Sequence, residues 1–154
     1  MLSPIQELKI QAKKQLKNDP SNPELIKLAK GEQVKLRHCQ LFIARKYGFA
    51  HWAQATAVLE GKPCRDQGTF WYKNQCMVLL NHWCKTHTEA REVQQQNGGT
   101  ILPYKTQFMV VDKPFLSLIG TTYDQPEWSA LNHDWCIGDI KQRQAIALKR
   151  IQQW

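Results

Sequence analysis

Proline and glycine punctuate the first 61 residues so closely that only short helices fit between them. Ser3 before Pro4 is a helix start: the hydroxyl caps free N–H groups, and the missing proline donor costs nothing at the first helical position. Ile5, Leu8, Ala12 and Leu16 then recur on one face, predicting an amphipathic helix to about Lys17, where "NDPSNP" ends it. Asn22 and Pro23 repeat the signal for a second helix, with Leu25, Ile26 and Leu28 inward and Gly31 as its stop. A third is expected from about Gln33 to Tyr47, with Leu36, Cys39, Gln40, Ile43 and Tyr47 aligned and Gly48 closing it. A fourth runs from Ala50 to Glu60, ahead of Gly61.

Charge follows the same division. The chain has 154 residues and a formal charge of +8, and its first 61 residues hold ten Lys and Arg against five Asp and Glu. Such an excess favours anionic partners. Lys13, Lys14, Lys17, Lys35, Arg37, Arg45 and Lys46 are the candidate anion or nucleic-acid contacts. Two helices joined at Gly48 also invite a helix-turn-helix reading, but the segment from Ala50 to Glu60 has no Lys or Arg to offer to base edges or phosphates. No leading apolar run resembles a signal peptide or membrane span, and five cysteines without regular spacing suit reduced thiols. A cytoplasmic protein with no membrane partner is expected.

The stretch "HCQLFIARKYGFAHWAQATAVLEG" carries a pattern of its own at Ala44, Arg45, Tyr47, Gly48, Phe49 and Trp52. With the earlier "LKIQAKKQL", residues 1–61 resemble the short helical A-R-x-Y-G-F-x-x-W module near the N-terminus of many uncharacterised bacterial proteins, some with ankyrin repeats or glyoxalase-like domains downstream. The resemblance implies a compact helical module in a bacterial protein and brings no activity with it. Neither an ankyrin period nor a glyoxalase-like metal pattern follows in this chain.

After "GKPCRDQG" the texture changes to aromatic and apolar residues, so residues 62–154 form a second part that either stands alone or shares one core with the first. A strand is predicted at Met77 to Cys84, then a helix of about two turns capped by Thr88 and stopped at Gly98-Gly99. "TILPYKTQFMVVD" reads as one bent strand or as a hairpin turning near Lys105-Thr106. Short helices open at Asp112-Lys113-Pro114 and Asp124-Gln125-Pro126, and a longer one is capped by Asp139 and ends with Trp154 docked. The expected fold is α+β: an N-terminal bundle of short helices packed on a small, mainly antiparallel sheet with flanking helices.

"NHWCKTH" places His82, Cys84 and His87 close together. On a strand, His82 and Cys84 share a face with Val78 and Leu80. Zinc needs about four thiolate or imidazole ligands, and His82, Cys84, His87, His133 and Cys136 are the weak candidates, with spacings unlike a familiar knuckle. The same atoms suggest an alternative enzyme, with Cys84 as nucleophile, His82, His87 or His133 as base, and Asp134 as orienting group. A thiolate requires a neighbouring cation or helix N-terminus, which the motif does not supply. The favoured reading of the motif is packing, with Cys84 a buried small hydrophobe and His82 a hydrogen-bonded core or rim residue, and no cofactor is predicted.

Aromatic residues are the other candidate feature. Trp71, Tyr72, Trp83, Tyr104, Phe108, Trp128 and Trp135 are many for a small sheet. A cleft lined by some of them with Lys73, Lys85 or Lys105 would stack a base or hold an apolar ligand, and Lys105, Thr106 and Gln107 suit a pocket mouth. Charge, aromatics and helical module together predict a non-catalytic module that binds a protein or other macromolecule, with nucleic acid on its N-terminal helices as the specific form.

Overall fold

The computed structural model describes residues 2–79 and 81–154, the side chains of Met77 and Val78 excepted. Four short helices come first: α1 (Pro4–Asn18), α2 (Pro23–Ala29), α3 (Leu36–Lys46) and α4 (Trp52–Leu59). Their starts follow the local chemistry. Ser3 and Gln6 form a reciprocal capping box, and Asn22 Oδ1 accepts from Glu24 N and Leu25 N at the head of α2. Ile5, Leu8 and Ala12 of α1 are buried against Cys39, Ile43 and Ala44 of α3. The stripe on α2 differs from expectation. Leu25 and Ala29 face the core, whereas Ile26 is half exposed, because a seven-residue helix buries only one narrow face.

Strands β1 (His82–Cys84), β2 (Thr100–Tyr104) and β3 (Gln107–Val111) form an antiparallel sheet in the order β1-β3-β2. Helix α5 (His87–Asn97) joins the two outer strands across one face. The predicted strand from Met77 is shortened: Asn74–Val78 is a 3-10 turn, and pairing is confined to His82–Cys84. Leu80, which the strand prediction also included, lies outside the described residues. The cap of α5 is Thr86, two residues earlier than predicted, its hydroxyl accepting from Glu89 N, and the helix is 11 residues long. "TILPYKTQFMVVD" is a hairpin, with Pro103 inside β2 opposite Phe108 and Lys105 at φ 52° in the turn.

The pleat of the sheet divides the apolar residues between two sides. Cys84, Ile101 and Val110 pack with Ala90 beneath α5, and Leu102, Met109 and Val111 enter the main core with the helices. Helices α6 (Lys113–Leu118), α7 (Pro126–Ala130) and α8 (Ile140–Gln152) complete the molecule, with Asp112 and Asp139 capping α6 and α8 as read from the sequence. The cap at α7 differs, since Gln125 and not Asp124 is its N-cap residue. The chain is therefore α+β, with short N-terminal helices, a three-stranded antiparallel sheet and C-terminal helices.

One main core cluster contains Ile5, Leu8, Tyr47 and Phe49 together with Phe70, Trp71, Trp135 and Ile146, so apolar packing runs across Gly61. Residues 133–135 cover the outer edge of β2, through Ile101 N to His133 O at 2.8 Å and Trp135 N to Ile101 O at 3.1 Å. Among the described residues, no helix is long and apolar enough to cross a membrane.

Candidate nucleic-acid interface

Helix α3 ends at Lys46, and the chain must reverse there to start α4. Gly48 makes the turn at φ 87°, a conformation that favours glycine, and its carbonyl accepts from Thr69 N at 2.8 Å and Thr69 Oγ1 at 3.2 Å. This contact sets the last turn of α3 beside residues 69–75. Between them lies an open cleft of about 520 Å³.

Arg45 and Lys46 line one side of the cleft and Lys73 the other, with Asn74, Gln75 and Thr69 as polar neighbours. No Asp or Glu lines it among the described residues, and none of these three cations forms a salt bridge there. Arg45 Nε donates to Ala50 O at 3.2 Å, which orients the side chain and leaves its terminal nitrogens available. A second cavity of about 470 Å³, lined by Glu24, Lys27, Leu28 and Phe42, lies on the other flank of the same two cations, so a carboxylate borders them on that side.

Aromatic rings border the positive charge. Tyr72 and Trp154 line the cleft, and Trp154 is 40% exposed. Its indole packs over the Arg150 guanidinium at 4.1 Å and meets Tyr47 edge-on at 4.7 Å. Arg150 itself is fully buried; it donates to Phe70 O at 3.3 Å, and burial pulls its pKa down to about 10. From Tyr72 the aromatic surface continues to Tyr104 at 5.3 Å and Trp83 at 6.0 Å, and these two lie 5.1 Å apart. Trp83 is 46% exposed, and Lys105 Nζ lies 5.5 Å above the Tyr104 ring. A contiguous group of rings thus extends from the cleft cations to Lys105.

The other sequence candidates scatter. Lys13 and Lys14 lie exposed on α1, and Lys35 and Arg37 begin α3, about 15 Å from its last turn. Arg37 is paired with Glu32 at 2.5 Å. Trp128 and Trp135 belong to the core instead of a cleft wall: each is almost fully buried, with Nε1 donating to Thr121 Oγ1 and Arg143 O respectively. Gln107 is exposed at the start of β3. Lys73 is the residue that sequence reasoning left out of the anion set, because nothing local connects it to Arg45.

Of the residues of the metal and thiol readings, the structure brings His87 to Asp134 and packs Cys136 against the small cluster that holds Cys84, whereas His82 and His133 are placed elsewhere. His82 is exposed beside Asn97 and Gly98, whereas Cys84 is buried under α5. His87 Nε2 lies 2.7 Å from Asp134 Oδ2, which Arg91 also reaches at 3.3 Å, and Asp134 Oδ1 accepts from Cys136 N. His133 stacks on Tyr123 at 3.9 Å, and its Nδ1 lies 3.4 Å from Thr100 Oγ1. Among the described residues, no three His, Cys, Asp or Glu side chains are grouped to hold a metal. Burial raises the thiol pKa of both Cys84 and Cys136, away from the thiolate that a nucleophile requires. Comparison of the chain with protein-family models, with curated proteins and with solved structures found no match.

Proposed function

We propose that this protein is a non-catalytic module that binds an anionic macromolecule, nucleic acid in its specific form. The observation that carries the reading is the cleft of Arg45, Lys46 and Lys73, bordered by Tyr72 and Trp154 and lined by no carboxylate among the described residues. Three free cations around one concave surface attract phosphates and release counterions when phosphates bind. The likeness of residues 1–61 to a bacterial helical module enters the proposal as architecture alone. The thiol-enzyme alternative has no comparable support, since Cys84 is buried and its pKa raised.

Fluorescence anisotropy with labelled oligonucleotides over a salt series tests the proposal. Affinity should fall steeply as salt rises, and the combined variant Arg45→Glu, Lys46→Glu and Lys73→Glu should lose binding while melting near the parent temperature. Affinity indifferent to salt, or a triple variant that binds like the parent, would overturn the reading.

A further inference from the structure

Accepting the cleft as a nucleic-acid site, we infer that its ligand is a single strand, with phosphates on Arg45, Lys46 and Lys73 and one base stacked on the outer face of Trp154. Duplex readers place a polar or basic helix or ribbon in a groove. Here the helix that follows the basic turn, α4, has the sequence WAQATAVL, with no cation and half of its residues buried. The cations instead rim a concave cleft, whose lining also carries the rings of Tyr72 and Trp154 beside the polar Thr69, Asn74 and Gln75. A duplex hides its bases and presents a convex backbone, so it would leave the indoles of Trp154 and Trp83 without partners. A single strand offers both phosphates and π faces, and stacking on aromatics is tolerant of sequence.

The platform is built before any ligand arrives. The Arg150 guanidinium packs against Trp154 at 4.1 Å and is itself fixed by the Phe70 carbonyl, while Tyr47 meets the indole edge-on at 4.7 Å and the Phe70 ring lies near-parallel to it at 6.0 Å. A ring held in this way loses little freedom when a base lands on it. Arg150 is thus a positioning residue and does not touch the ligand. Tyr72 leads from the cleft to Tyr104 on β2 and Trp83 on β1, where Lys105 supplies a further cation, so the strand's next bases have a path across the sheet from one outer strand to the other.

The probes are a fluorescein-labelled 12-nucleotide oligothymidine and a labelled mixed-sequence 12-base-pair duplex, each titrated with the full chain. The single strand should bind at least about tenfold tighter than the duplex and quench tryptophan emission. Three phosphate contacts should give a log–log salt slope of about −2. Trp154→Ala should weaken the single strand by about tenfold or more. Since Trp154 packs on Arg150, half-exposed Trp83→Ala is a second variant, with its melting temperature measured beside its affinity, and it too should weaken the single strand. Duplex binding equal to or tighter than single-strand binding would overturn this inference and leave the nucleic-acid reading standing; binding of neither probe would overturn both.

Discussion

The backbone N–H of Thr69 donates to the carbonyl of Gly48 at 2.8 Å, and this bond joins the helical half of the molecule to the segment that carries Lys73. A Cβ on Gly48 would lie 2.6 Å from Thr69 Oγ1 and 2.8 Å from the Thr69 carbonyl carbon, at a φ of 87°. Gly48→Ala should therefore lose about 2 to 4 kcal/mol in urea denaturation, from left-handed strain and from a backbone clash that no side-chain rotation relieves. A loss under about 0.5 kcal/mol would mean that the two segments separate easily and that the cleft is not held as described.

Asp134 ties a different pair of elements together. Its buried carboxylate faces His87, Arg91 and the backbone N–H of Cys136, linking α5 to the segment that covers the edge of β2. Asp134→Ala removes the carboxylate from that contact and leaves the Cys136 amide without this acceptor. About 3 kcal/mol should be lost. Because none of these residues lines the cleft of Arg45, Lys46 and Lys73, oligonucleotide affinity at low temperature should stay near the parent value. A fully stable variant would show that the ion pairs are only surface decoration.

What the sequence disclosed and what it hid divide along the range of the interactions. Ser3, Asn22, Asp112 and Asp139 announce their helices because a cap acts over three residues. The strand predicted from Met77 is cut to its last three residues, His82–Cys84, because an apolar run does not fix backbone conformation and the chain turns as a 3-10 element before the strand pairs. Trp83 and Trp128 look alike in sequence, yet one is half exposed and the other fully buried, since tertiary packing alone decides. The same holds for the cleft: Arg45 and Lys46 read as cations on a helix, but their meeting with Lys73 depends on the Gly48 to Thr69 contact, which no local pattern encodes.

His133 gives the protein an acid-side weakness. Burial holds its imidazole pKa below the ordinary value, with the Asp124 charge pulling the other way. The unfolded chain therefore takes up this proton first as pH falls below about 6.5, and stability drops until the folded state is protonated as well. His133→Asn keeps a residue tolerant of the positive φ of 55° and removes the titration. Urea midpoints from about pH 7 to about pH 5 should fall less steeply in the variant than in the parent. Equal slopes would place the acid sensitivity elsewhere.

Arg150 is a cation with no carboxylate beside it among the described residues, held by one carbonyl and an indole face. A guanidinium pKa pulled from the ordinary arginine value to about 10 corresponds to a cost on the order of 3 kcal/mol at neutral pH. The sign follows from proton counting: between those values the unfolded chain binds more protons, so this cost is complete below about 10 and is relieved as pH rises. Arg150→Met fills similar space without charge and should leave the melting temperature unchanged or higher, whereas Arg150→Ala opens a cavity and should lose about 2 to 4 kcal/mol. The stable methionine variant should nevertheless bind single strands more weakly than the parent, because Trp154 then lacks the cation that holds its ring. If Arg150→Met proves as unstable as Arg150→Ala, the charge contributes more through the Phe70 carbonyl than its burial costs. If it is stable and binds like the parent, Trp154 holds its place without Arg150.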